Sequence, residues 1–220
     1  MYKVCVFILL ACFVKKIEEK EIPPKTPGDD YRLYEELKID KIIGFPAFRE
    51  ALKGYGKYGS GKNPVLALID FTKPSSEKRF CVVDLKQKRV LFQSHVAHGK
   101  NSGENYAVSF SNRPGSFQSS LGFFRTEKTY YGKNGYSLTL TGLEKGLNDK
   151  ARERGIVIHG AKYADPALAD RQGRLGRSLG CPALPLSLHK EIIDSIKEGA
   201  LLYIYGKDAE TKSRFSAPYS

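Results

Sequence analysis

Two short segments carry residue types that could do covalent chemistry. Gly176-Arg177-Ser178-Leu179-Gly180-Cys181-Pro182 sets a cysteine in a glycine-flanked turn, and Ile156-Val157-Ile158-His159-Gly160 sets a histidine at the end of a short β-branched run. A thiol becomes an effective nucleophile when a neighbour lowers its pKa or removes its proton, and imidazole is the usual agent. The two residues lie 22 positions apart, enough for two strand ends to meet across a loop. The pattern points to a Cys/His nucleophilic hydrolase or acyl-transferase.

The elements that must position this pair are mostly strands. Continuous apolar or β-branched runs bounded by turn residues predict strands over 65–70, 80–85 and 89–97, with weaker signals over 121–125 and 136–140. Further buried strands are expected over 156–159 and 200–205. Helical spacing is expected over 31–37 and over 46–58, where Phe48, Leu52 and Tyr55 recur and Gly54 and Gly56 weaken the end. A late helix over 186–198 carries Leu188, Ile192, Ile193 and Ile196 as an apolar stripe, with Gly199 as its stop. The fold class is mainly β with a few helices and no internal repeat.

The remaining histidines and cysteines read more plainly. Cys81 lies in Arg79-Phe80-Cys81-Val82-Val83, a core strand pattern in which a buried free thiol is common. His95 and His189 have nothing convergent around them. His98, followed by Gly99, is expected to line the cleft holding His159 and Cys181. A zinc set built on His95, His98, His159 and Cys181 is not expected, because residues three apart on a strand point to opposite faces. Tyr130, Tyr131 and Tyr136 lie in a glycine-rich stretch that reads either as a lid over the cleft or as a surface hairpin.

The chain has 220 residues, 41% hydrophobic and 27% charged, long enough for one domain with a substantial core. Its 36 basic and 24 acidic residues give a net charge of +12, which implies an anionic partner or surface. The basic residues are scattered and form no nucleic-acid-binding motif, so nucleic acid is not the expected partner. At the N-terminus, Lys3 precedes an apolar run to Val14, too short to span a bilayer but suited to a signal peptide. Leu9-Leu10-Ala11-Cys12 resembles a bacterial lipoprotein signal with Cys12 as the lipidated residue; a cleaved signal and an uncleaved anchor are the alternatives. All three place the rest of the chain outside the cytoplasm, in the cell envelope. Residues 1–14 are read as this signal, 15–44 as a proline-rich linker with a short helix, 45–206 as the catalytic domain with its leading helix, and 207–220 as a polar tail.

Residues 63–206 resemble the murein L,D-transpeptidase catalytic domain of YkuD-like fold. The likeness rests on Asp70-Phe71-Thr72-Lys73-Pro74-Ser75, His98-Gly99-Lys100-Asn101-Ser102-Gly103, Leu140-Thr141-Gly142-Leu143-Glu144-Lys145-Gly146-Leu147-Asn148, His159-Gly160-Ala161 and Gly176 to Pro185. The resemblance implies a β-sandwich or mixed-sheet catalytic domain acting on peptidoglycan stem peptides. Cys181 would be the nucleophile and His159 its general base, with backbone N–H groups around Gly180 and Cys181 holding the oxyanion and Ser178 ordering the turn. The acyl group on Cys181 would pass to an amine of a second stem peptide, or to water in an L,D-carboxypeptidase. A non-catalytic peptidoglycan-binding module on the same fold is the rival reading. No metal or organic cofactor is implied. Commoner members carry a histidine two residues before the cysteine and an arginine soon after it, where this chain has Leu179 and Pro182-Ala183. Arg177 or Arg174 would then meet the substrate carboxylate, with His98 and Gly160 beside it.

Overall fold

A computed structural model describes residues 28–59 and 64–207. The signal segment, Cys12 and all but the first residue of the polar tail lie outside them. The central element is one eight-stranded mixed sheet in the order β3-β2-β1-β8-β4-β5-β6-β7. Its strands are β1 (Val65–Asp70), β2 (Phe80–Asp84), β3 (Arg89–Ser94), β4 (Gly122–Gly132), β5 (Gly135–Gly142), β6 (Val157–Gly160), β7 (Ala183–Leu184) and β8 (Leu201–Tyr205). It is thus the mixed-sheet form of the expected fold, with helices rather than a second sheet covering its faces.

The sheet centre is apolar on both sides, which explains its unbroken hydrophobic runs. Side chains alternate across a strand: Val65, Ala67 and Ile69 of β1 enter one core with Phe80, Val82, Leu202 and Ile204. Leu66 and Leu68 enter the other with Cys81, Val83, Leu201 and Tyr203. The first core is closed by α4 (His189–Ile196), through Ile192, Ile193 and Ile196. The second is closed by α1 (Asp29–Leu37) and α2 (Phe45–Tyr58), through Leu33, Tyr34, Leu37, Phe48 and Leu52.

Several boundaries differ from the sequence expectation for identifiable reasons. The segment read as a linker joins the domain from Asp29, because Leu33, Leu37, Ile39, Ile42 and Ile43 are buried against the sheet. Helix α2 continues through Gly54, where a Cβ would stand 1.9 Å from the Phe123 ring, so the glycine is a packing requirement. Helix α4 is shorter than 186–198. The Leu188 and His189 N–H groups donate to Pro185 O in an entry turn, and Glu198 leaves the helix at φ 62°. The β4–β5 hairpin runs well beyond 121–125 and 136–140, because its distal half is paired but solvent-facing and shows little apolar signal.

Strand β3 ends at Ser94, three residues early, because the chain turns to meet the loop containing Cys181. Ala97 exchanges backbone hydrogen bonds with Ala183 (2.8 and 3.3 Å), Ser178 N–H donates to His98 O at 2.9 Å, and Lys100 N–H donates to Ser178 O at 2.8 Å. No helix among the described residues is long and apolar enough to cross a membrane.

Candidate active site

Strands β6 and β7 run parallel, with His159 opposite Ala183, two residues after Cys181. The excursion between them includes helix α3 (Pro166–Gln172), started by Asp165, whose carboxylate accepts from Ala167 N–H. It returns beside its origin, and the His159 N–H donates to Pro182 O at 3.4 Å. The pairing of these strands brings the cysteine turn back beside His159, so that both residues line one cleft.

His159 is buried, and its Nδ1 lies 3.0 Å from Gly160 O. A carbonyl can only accept, so Nδ1 carries the proton and Nε2 is left as the basic nitrogen. Burial, with a contribution from the charge of His189, holds the imidazole pKa below its ordinary value. The resting ring is therefore neutral at neutral pH and able to take a proton. The Tyr163 ring stands edge-on to it at 6.4 Å between centroids.

Hydrogen bonds from two serine hydroxyls fix the cysteine turn. Ser178 Oγ accepts from Gly180 N–H at 3.0 Å and donates to Cys181 O at 2.6 Å. Ser119 Oγ donates to Gly180 O at 3.2 Å and accepts from Gly99 N–H at 3.0 Å. Gly180 sits at φ 126°, and a Cβ there would come within 2.9 Å of Gln118 O, so both conformation and space require glycine. The Gly180 N–H is thus engaged by Ser178 and is not the oxyanion donor expected from sequence. Leu179 and Cys181 have the turn's backbone N–H groups with no protein acceptor among the described residues.

The Cys181 thiol donates to Gly155 O across 3.7 Å. Burial raises its pKa, while the Val157 N–H and the charges of Arg154 and Lys133 pull it back down. The thiol opens on a cleft of about 350 Å³ that is also lined by His159, Tyr163, Arg154, Arg177 and Lys133. Phe117 and Leu179 form apolar walls, and no carboxylate among the described residues lines the cleft. Phe117 is held in the left-handed region at φ 55°, a conformation that costs a bulky residue about 1–3 kcal/mol and persists where surroundings enforce it. A second cavity of about 220 Å³, on the α2 side near Phe123 and Tyr203, contains neither cysteine nor histidine.

The other expected site residues fall in different places. Arg177 reaches the cleft, but its guanidinium is paired with Glu104 at 2.7 Å. Arg174 pairs with the same carboxylate at 3.1 Å and does not line the cleft. His98, expected at the cleft, is fully buried away from it. Its Nε2–H donates to Gly103 O at 3.2 Å, and its Nδ1 accepts from Arg79 Nη2 at 2.7 Å. Burial and the adjacent Arg79 hold the His98 pKa down at about 3, so it is a neutral acceptor for a buried guanidinium. Gly160 also faces away from the cleft: a Cβ on it would meet the His189 ring at 2.6 Å. Cys81 is buried in the second core, and burial pushes its thiol up to about 12.

Among the cleft residues not singled out from sequence, three are titratable. Arg154 lies in Lys150-Ala151-Arg152-Glu153-Arg154, a charge run that reads as a solvated surface. Lys133 lies at the hairpin tip, and Tyr163 follows the strand of His159; its hydroxyl is pushed up to about 12 by burial and by Cys181. Of the three tyrosines read as lid or hairpin, Tyr131 and Tyr136 pack across the β4–β5 hairpin at 5.2 Å. Tyr136 OH donates to Asp194 at 2.7 Å, tying the hairpin to α4 while its tip reaches the cleft.

A neutral imidazole with an available Nε2, a half-buried thiol and a cation-lined cleft together can support nucleophilic acyl chemistry on a substrate bearing carboxylates. The family model of the L,D-transpeptidase catalytic domain matches residues 40–205, and the chain belongs to that family. The mostly-β mixed sheet with four α-helices among the described residues is the fold of that family. Among solved structures it is similar to an L,D-transpeptidase from Mycobacterium smegmatis, at 15% identity over 65% of this chain and 59% of that one, with a TM-score of 0.42. It is also similar to the helical cell shape determining protein Pgp2 from Campylobacter jejuni, at 16% identity over 66% of this chain and 48% of that one, with a TM-score of 0.45. A third is L,D-transpeptidase 1 from Mycobacterium tuberculosis, at 13% identity over 66% of this chain and 63% of that one, with a TM-score of 0.39. The chain thus spans between 48% and 63% of the length of these three. No curated protein sequence matches it.

Proposed function

We propose that this protein is a cysteine-dependent L,D-transpeptidase of the bacterial cell envelope, acting on peptidoglycan stem tetrapeptides. The observation that carries the proposal is that Cys181 and a neutral, Nδ1-protonated His159 line one cleft, whose charged lining among the described residues is wholly cationic. Stem peptides present carboxylates, and such a lining favours them. His159 Nε2 takes the thiol proton, and the sulfur attacks the carbonyl between the third residue and the terminal D-alanine. The resulting oxyanion faces the Cys181 N–H. The imidazolium then gives its proton to the departing amine as the C–N bond breaks, leaving a thioester on Cys181 and free D-alanine. An acceptor amine, deprotonated by His159, attacks the thioester and regenerates the thiol. The mechanism draws on no metal or organic cofactor. The N-terminal segment with Cys12 would deliver the domain to the periplasm, by lipid anchor or signal alone.

Hydrolysis of the thioester is the second reading, favoured by a cleft that, among the described residues, has no carboxylate to receive an acceptor's ammonium group. Mass spectrometry of tetrapeptide muropeptides incubated with the wild-type chain and with Cys181→Ala tests both. Loss of D-alanine with the wild type alone is expected. Cross-linked dimers mark transfer, and free tripeptide marks hydrolysis. Tetrapeptide left intact by both proteins, with sacculi still bound, would replace the enzyme reading with the binding module.

A further inference from the structure

We infer that Arg154 is the fixed cation that stabilises the Cys181 thiolate, a positioning residue for the proposed acyl transfer. The inference rests on the cysteine-nucleophile reading and deepens it. Arg154 immediately precedes Gly155, whose carbonyl accepts from the Cys181 thiol, and its side chain lines the same cleft. Its Nη2 lies 3.4 Å from the point where a Cβ on Gly180 would stand, which sets the guanidinium against the residue preceding the nucleophile.

The hydrogen bonds of the guanidinium separate two possible roles. Nη1 donates to Ser111 O and Ser120 Oγ. Nη2 donates to Gln118 O at 2.6 Å and to Ser116 Oγ at 3.2 Å. All four terminal N–H bonds are therefore committed to the 111–120 segment. A two-pronged grip on a substrate carboxylate needs two free parallel N–H groups, and this fork has none. What remains is charge. No carboxylate pairs with Arg154 among the described residues, unlike Arg177 and Arg174, which share Glu104. The guanidinium is half-buried, so solvent screens its field less than at a free surface.

The other charged or titratable groups facing the thiol are weaker candidates for this role. His159 is neutral at rest, Tyr163 is neutral, Arg177 is compensated by Glu104, and Lys133 stands on an exposed hairpin tip. The 111–120 segment thus acts as a clamp holding one uncompensated positive charge beside the sulfur.

The test reads the thiol directly and needs no substrate. Iodoacetamide alkylation of the Cys181-containing peptide is followed by mass spectrometry against pH in the full chain, for wild type, Arg154→Gln, Arg154→Lys and Lys133→Gln. In Arg154→Gln the midpoint should rise by about one pH unit, so that alkylation at a fixed pH below it slows about tenfold. Arg154→Lys, which keeps the charge but not the fork, should fall between that variant and wild type. Lys133→Gln should shift the midpoint less. Should Arg154→Gln fail to fold, Ser116→Ala combined with Ser120→Ala loosens the clamp and must raise the midpoint instead. An unchanged midpoint in a folded variant, or an equal shift from Lys133→Gln, would overturn the inference. If Cys181→Ala were still to release D-alanine, the enzyme reading would fall while the alkylation result stood.

Discussion

Ser178→Ala removes the side chain that closes the cysteine turn, and the structure indicates how much that should matter. The hydroxyl accepts from the buried Gly180 N–H and donates to Cys181 O. The methyl group of alanine leaves the first of these without an acceptor in a place water does not reach. A buried donor stranded in this way costs about 1–3 kcal/mol. The Cys181 carbonyl belongs to a half-buried residue and can recover water, so it adds little. Taking about 2 kcal/mol, and about 2–4 °C per kcal/mol for a domain of this size, the melting temperature should fall by about 4–8 °C. The catalytic effect should be larger, because a shift of about 1 Å in a reacting atom can cost about a hundredfold in rate. Thermal unfolding by circular dichroism and D-alanine release would be measured on the same preparation. A variant that melts with the wild type and turns over at its rate would refute the view that Ser178 holds the nucleophile in place.

Two further perturbations follow from the same geometry. The folded pKa of His98 lies at about 3, far below its unfolded value of about 6.5, so the unfolded chain binds the extra proton. Stability from this site is then complete above about pH 6.5 and is lost as pH falls toward 3. Denaturant melts across that range should show an acid-side decline that is shallower in His98→Gln, and parallel curves would contradict the assignment. Gly160→Ala drives a methyl group into the His189 ring, and overpacking of this kind costs about 1–3 kcal/mol. Adding His189→Ala should restore most of the loss; it should also move the acid limb of turnover to higher pH, because a cation that lowers the His159 pKa is gone.

How far the sequence disclosed this molecule depended on whether a residue's role left a local pattern. Strands β1 and β8 were legible because burial on both faces produces unbroken apolar runs. The shared cleft of His159 and Cys181 was legible because a β-branched run and a glycine-bounded turn frame them. Arg154 left no such mark: among neighbouring lysine, arginine and glutamate side chains, a cation clamped toward the cleft looks like one facing water. His98 misled for the opposite reason. A histidine before a glycine suggests an open site, but the buried guanidinium that claims its ring comes from Arg79, on the segment entering β2. The distal β4–β5 hairpin was under-read because pairing alone, without burial, writes little hydrophobic signal.

The departures of this chain from the commoner family pattern become intelligible when the cleft is considered as a set of charges. With Ala183 in place of the arginine that usually follows the cysteine, the strand after Cys181 is free to pack tightly, and Ala183 is fully buried against Ala97. With Leu179 two residues before the cysteine, the turn presents an apolar wall instead of a second imidazole. Positive charge reaches the sulfur from Arg154, just before β6, and from Lys133, at the tip of a hairpin tethered through Tyr136 to α4. These cations come from elements held by different contacts: one is clamped by four hydrogen bonds and the other is carried on an exposed turn. The field on Cys181 is therefore set by two cations that are held independently of one another.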